Sequence, residues 1–159
     1  MNLKTFISGF TYFSLVFIIL PFTAITLNNR FSLPRNPHLI LPGILFLLGG
    51  ALLFLYCAYL FSTVGKGTPV LSDPPKKLVA RGPYYYTRNP LYIAQMSLLL
   101  GYACVLGHAL LFVYAIIMLP FYHAVVIFIE EPGLRKRLGS DYILYTKKVP
   151  RWLPRIPPK

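Results

Sequence analysis

Acidic side chains are nearly missing from this 159-residue chain, which has only Asp73, Glu130, Glu131 and Asp141. Charged residues of both signs make up 13%, where a soluble domain carries roughly 25%. That shortfall argues against a water-soluble domain. Cysteine is as scarce: Cys57 and Cys104 fall inside apolar runs. They offer neither a disulfide framework nor a metal-binding spacing, and read as packed thiols. There is no internal repeat, and no Ala-x-Ala cleavage site follows the first apolar run, so that run reads as a retained helix rather than a signal peptide.

What is present is apolar. Hydrophobic residues are 56% of the chain and gather in long runs instead of at amphipathic spacing. Such runs specify membrane helices. The first extends over about Phe6 to Leu27, with a bend expected at Pro21. The second covers about Leu39 to Ser62 and carries a loose small-residue stripe, Gly49, Gly50, Ala51, Cys57 and Ala58, that permits close helix approach. The third, about Leu91 to Leu106, spans only roughly 24 Å at 1.5 Å per residue. Its start is expected to be set back in a protein-lined cavity. Gly107-His108 turns the chain into the fourth, about Ala109 to Ile129. The expected fold is an all-α integral membrane protein. It is a four-helix transmembrane bundle with a helical hairpin and a C-terminal interfacial segment, forming one domain over 1–159.

The net charge of +12 could suggest nucleic acid. The basic residues, however, flank the apolar spans, where orientation and anionic lipid account for them. In a four-span arrangement the N-terminus, the 63–90 loop and the tail share one side and carry fourteen of the sixteen basic residues. That side, with both termini, is expected to be cytoplasmic. In the tail, Pro132 can open a helix in which Leu134, Leu138, Tyr142 and Tyr145 make an apolar stripe interrupted by Gly139. This is the pattern of a segment lying on the membrane surface.

The stretch Arg81-Gly-Pro-Tyr-Tyr-Tyr-Thr-Arg-Asn-Pro-Leu-Tyr92 is polar, aromatic and basic between two apolar runs. Pro90 suits a first helical position, and Asn89 before it can cap exposed N–H groups. A helix start beside Arg88 can hold a carboxylate or another anion. The plainer reading is an interfacial Arg, a cap and a tyrosine belt. Gly65-Lys-Gly-Thr-Pro69 and Asp73-Pro-Pro75 forbid a continuous helix in the loop.

Glu130 and Glu131 end the fourth span. Acids at a hydrocarbon boundary are functional candidates, against the alternative of a hydrated pair neutralised by Arg135 to Arg137. His123 lies seven residues before Glu130, two turns of an α-helix, so both could face one cavity. The alternative is a packing histidine. His108 reads as an ordinary turn residue. Tyr12, Tyr56 and Tyr59 could line a pocket or serve as packing and belt residues.

Taken in order, the Gly-Pro-Tyr turn, Arg-Asn-Pro-Leu-Tyr at a helix start, the hairpin, Glu-Glu-Pro, Gly139-x-x-Tyr142-x-x-Tyr145 and Val-Pro-Arg151 form a recognisable series. The chain from about Gly65 to Pro154 resembles the isoprenylcysteine carboxyl methyltransferases and their relatives, the membrane phospholipid methyltransferases. The resemblance implies a cytosol-facing site for S-adenosylmethionine built from the loop, the hairpin and the tail. By motif position Lys76, Lys77, Leu78, Val79 and Tyr84 would stand in the cofactor wall. Asn89, Pro90, Leu91 and Tyr92 would hold the cofactor at the helix start, and Glu130 would reach it from the fourth span. Two departures bear on the acceptor. Asn89 stands where the eukaryotic carboxyl methyltransferases have His. Val126 stands where they place a basic partner for the acceptor carboxylate, one turn before the equivalent of Glu130.

The expected activity is methyl transfer to a lipophilic carboxyl, amine, thiol or hydroxyl group entering from the bilayer. An amine or hydroxyl must lose a proton, which Glu131 or His123 would take, while Arg88 would orient the acceptor or bind lipid phosphate. No metal and no nucleic acid is expected. Competing readings are an NADPH-dependent reductase of the sterol-reductase type, a four-helix transporter and a non-catalytic scaffold. The transporter reading lacks the acid such proteins carry in the first helix, since Phe6 to Leu27 has none.

Overall fold

In a computed structural model the described residues are 3–70 and 72–154, without the side chain of Pro37. They are helical, with no β-strand among them; a single bridge pairs Arg35 with His108. Four helical stretches follow the four apolar runs: α1 (Leu3–Arg30), α2 (Ile40–Thr63), α3 (Pro90–Leu106) and α4 (Ala109–Lys148). Helices α1, α2 and α4 are long and apolar enough to cross a membrane, and α3 is shorter. Short 3₁₀ turns at Pro37–Leu39 and Gly82–Tyr85 precede α2 and α3.

The chain forms two compact units. The first combines residues 1–51 with 95–121 and the second 52–94 with 122–159. In the first unit α1 does not break at Pro21. It widens into a π-turn over Leu15–Ile19 instead. Proline has no N–H and its ring crowds the carbonyl four residues back. A widened turn just before it relieves that crowding, and the Val16 carbonyl accepts a hydrogen bond from the Tyr114 hydroxyl at 2.9 Å. Tyr12 donates to Gln95 Oε1 at 2.6 Å, a packing contact inside this unit. Buried Asn28 joins α1 to α4, donating to the Leu33 carbonyl and accepting from Leu110 N.

The α3–α4 turn is set by Gly107. Its φ of 71° lies in the left-handed region, and a Cβ there would collide with the Asn36 carbonyl oxygen. Only glycine meets both demands without strain. Gly43 and Gly101 let α2 and α3 touch: a Cβ on Gly101 would come within 2.8 Å of the Gly43 carbonyl oxygen. The small-residue contact in this unit therefore uses Gly43, whereas Gly49 in the expected stripe faces open space.

In the second unit the loop is folded on its own hydrogen bonds. Gly65 O accepts from Lys76 N at 2.8 Å and Lys77 N at 3.0 Å, and Thr68 N reaches Asp73 O at 2.8 Å. Cys57, Leu60, Val79, Tyr84 and Leu91 form one apolar cluster. Tyr142, Tyr145 and Val149 form another, packed against Leu78, Ala80, Leu134 and Leu138. The expected tail stripe is thus an inward face. Gly139, at φ 56° and ψ −132°, breaks the helical path where the sequence predicts an interruption.

Candidate functional site

The second unit encloses a part-open cavity of about 970 Å³, counting the solvent at its mouth. The loop contributes Lys77, Leu78, Val79 and Tyr84 to its wall. The start of α3 contributes Arg88, Asn89, Leu91 and Tyr92. Helix α4 contributes Glu130, Glu131, Arg137, Tyr142 and Tyr145, among others.

The α3 start is built as its shortness suggests. Asn89, Pro90, Leu91 and Tyr92 are all buried, so this helix begins inside protein. The expected cap is absent: Asn89 turns its amide nitrogen to the Arg151 carbonyl at 3.0 Å. The tail thus holds the Asn89 side chain by its donor end, and the same carbonyl also accepts from Thr87 Oγ1 at 3.1 Å.

Helix α4 supplies two adjacent carboxylates through a second π-turn, Val126–Glu130. An α-helix advances roughly 100° per residue. One extra residue in the turn therefore turns the residues after it by about that angle relative to residues 122–125 just before it. The inward positions become Tyr122, Val126 and Glu131, all buried. The same slip corrects the pairing expected of His123 and Glu130. His123 is exposed, outside the cavity, and its Nδ1 accepts a 2.9 Å bond from the Trp152 indole.

Glu130 accepts from the Tyr92 hydroxyl at 2.5 Å. Tyr92 packs on Tyr122 at 4.9 Å between ring centroids and meets Trp152 edge-on at 6.4 Å. Glu131 is only 5% exposed and is surrounded by guanidinium groups. Arg151 grips both its oxygens, at 2.7 and 3.1 Å, and Arg88 Nη1 shares Oε1 at 3.0 Å. The exposed Arg135 stands 3.9 Å away. The carboxylate raises the Arg151 guanidinium above its ordinary value. With both oxygens engaged by cations, Glu131 is poorly placed to take a proton.

Tyr84, part of the apolar cluster, is stacked on Phe61 at 5.2 Å. Burial pushes its phenol well above the usual range, so it stays neutral. Its backbone carbonyl accepts from Tyr145 at 2.5 Å, which ties loop to tail. Of the sequence-predicted residues, the cavity gathers Lys77, Leu78, Val79, Tyr84, Arg88, Asn89, Leu91, Tyr92, Glu130 and Glu131. Lys76, Pro90 and His123 are not on its wall. Tyr56 and Tyr59 are exposed. Sequence reasoning missed Arg151, Tyr142, Tyr145 and Arg137 as site residues. The Val-Pro-Arg and Gly-x-x-Tyr-x-x-Tyr pieces were the available signal for three of them.

Arg88 Nε is buried and has no hydrogen-bond partner among the described residues. A cavity offering an orphaned guanidinium N–H, a carboxylate, several tyrosines and apolar walls suits a ligand with both charges and a flat ring. Comparisons with curated proteins and with solved structures gave no match. A comparison with protein families did: residues 38–141 match the phospholipid methyltransferase family. That match takes in α2, the loop, α3 and α4 through both carboxylates, and the chain belongs to this family of membrane methyltransferases.

Proposed function

We propose that the protein is an S-adenosylmethionine-dependent methyltransferase of the membrane. It crosses the bilayer four times as one domain, with both termini cytoplasmic and with the cavity facing the cytosol. The short α3 makes the third crossing, because its buried start needs no lipid-spanning length. The observation that carries the reading is the meeting of Tyr92 and Glu130 on the wall of a cavity that also holds the α3 start.

The residues present fit the cofactor. Glu130 would hold its amino group or ribose hydroxyls. Arg88 Nε and the N–H groups of the α3 start would take its carboxylate. Tyr84, Tyr142 and Tyr145 give flat faces for its ring or its cationic sulfur. Lys77, Leu78 and Val79 wall the site. Lys76 and Pro90 act only through the backbone that places their neighbours. When bound, the cofactor supplies an electrophilic methyl group.

The chain's own work is to bind, orient and exclude water. Tyr92 fixes Glu130, and Glu131 fixes Arg88. The acceptor is a lipophilic molecule entering from the bilayer. A carboxylate or thiolate acceptor needs no base. This is the class the geometry favours, since Glu131 is held by arginines and His123 lies outside the cavity. Of these two the thiolate is the better match: buried Val126, the first residue of the π-turn, leaves no cation there for an acceptor carboxylate, which separates this chain from the isoprenylcysteine enzymes it resembles.

The test is calorimetric titration of purified protein with S-adenosylhomocysteine, beside a titration with NADPH. Binding of the first alone is expected, and binding of NADPH alone would replace the reading with a reductase. Incubation with radiolabelled cofactor and total host lipid then identifies the acceptor by its label.

A further inference from the structure

The tail residues Pro150, Arg151 and Trp152 are laid across the helix start by a set of polar contacts. The Pro150 carbonyl accepts from Arg88 N at 2.9 Å. The Arg151 carbonyl accepts from Thr87 Oγ1 at 3.1 Å and from Asn89 Nδ2 at 3.0 Å. The Arg151 guanidinium makes the two-pronged contact with Glu131, and Trp152 reaches His123.

We propose that Arg151 is a positioning residue for the cofactor cavity, a role that rests on the cofactor reading above. Its two ends hold two different walls. The carbonyl fixes the side-chain direction of Asn89 on the α3 start. The guanidinium fixes Glu131 on α4. Arg88 is tied to the guanidinium end, because it shares Glu131 Oε1 with Arg151, and its own backbone N–H is held by Pro150, the residue before Arg151. A fork-on-carboxylate pair sets direction as well as distance.

Remove the Arg151 side chain and Glu131 Oε2 loses its near partner. Arg88 can then swing to take both oxygens. That rotation carries the orphaned Arg88 Nε out of its present place in the cavity wall. The carbonyl, no longer anchored by its side chain, frees Asn89 to cap α3 and withdraw N–H groups from the cavity. Arg151 does not line the cavity, so these effects on a ligand are indirect.

The experiment compares wild type, Arg151→Ala and Arg151→Lys by calorimetry with S-adenosylhomocysteine, reading affinity and stoichiometry separately. Arg151→Ala is expected to weaken affinity at least roughly tenfold at unchanged stoichiometry. Arg151→Lys, which keeps the charge but not the fork, should fall between. A residue that only helped folding would lower the stoichiometry and leave the affinity of the remaining folded molecules as it was; that result overturns the proposal. Affinity within about twofold of wild type for Arg151→Ala also overturns it. If Arg151→Ala yields no folded protein, Arg151→Lys is judged by the same two criteria. Failure of the wild type itself to bind rejects the cofactor reading, and the positioning role with it.

Discussion

Tyr92 donates its hydroxyl to Glu130 Oε1 at 2.5 Å across 38 positions of sequence. Had the two side chains aimed at separate lipid-facing surfaces, no common pocket could exist. Glu130→Ala is expected to abolish S-adenosylhomocysteine binding while the protein still folds. Tyr92→Phe keeps the carboxylate and loses one charge-assisted bond, worth about 1.5–3 kcal/mol. It should therefore weaken binding by about ten- to a hundredfold. Unchanged calorimetric affinity in Glu130→Ala would remove Glu130 from the site.

Glu131 should matter to stability more than any other acid. Its side chain is 7% exposed and that of Arg88 10%. Taking one partner from a buried pair costs about 3–5 kcal/mol, because the remaining charge stays desolvated. Glu131→Ala should accordingly lower the unfolding midpoint in detergent by many degrees. Asp141→Asn, at an exposed position, should change stability by no more than about 0.5 kcal/mol. Equal midpoints for the two variants would count against the buried ion cluster.

Gly107→Ala combines a left-handed φ with a collision at the Asn36 carbonyl, and should destabilise by at least about 1–3 kcal/mol. Gly49→Ala is the control. Nothing lies within 4 Å of its new Cβ, and alanine is preferred to glycine inside a helix by about 1 kcal/mol. Thermal unfolding should separate the two in opposite directions.

The orientation can be read by cysteine labelling in sealed vesicles or cells, on a background with Cys57 and Cys104 replaced. Ser32→Cys should react with an impermeant reagent added outside, and Lys147→Cys only after permeabilisation. The reverse pattern would invert the proposed topology.

The helices were legible because apolar runs and their breakers act locally. The four runs, the Gly107-His108 turn and the Gly139 interruption all stand where the residues put them. Ten of the cavity's twenty-two wall residues were legible, the helix start and the two carboxylates among them. What sequence spacing could not show is helical pitch. The π-turn at Val126–Glu130 has no residue signature, and it moves His123 off the face that an α-helical count assigns to it. Nor could it show how a carbonyl 62 positions away would claim Asn89. A cap is a local contest, and the tail enters it only after the chain has folded back.

That widened turn in α4 also makes the chain vulnerable to the smallest of length changes. Loss of a single codon within it would restore ordinary pitch and leave the apolar length almost as it was. The helix would still insert and pack. Both carboxylates, however, would point some way round the cylinder from the groups they now meet, so a mutation harmless to assembly could silence the protein outright.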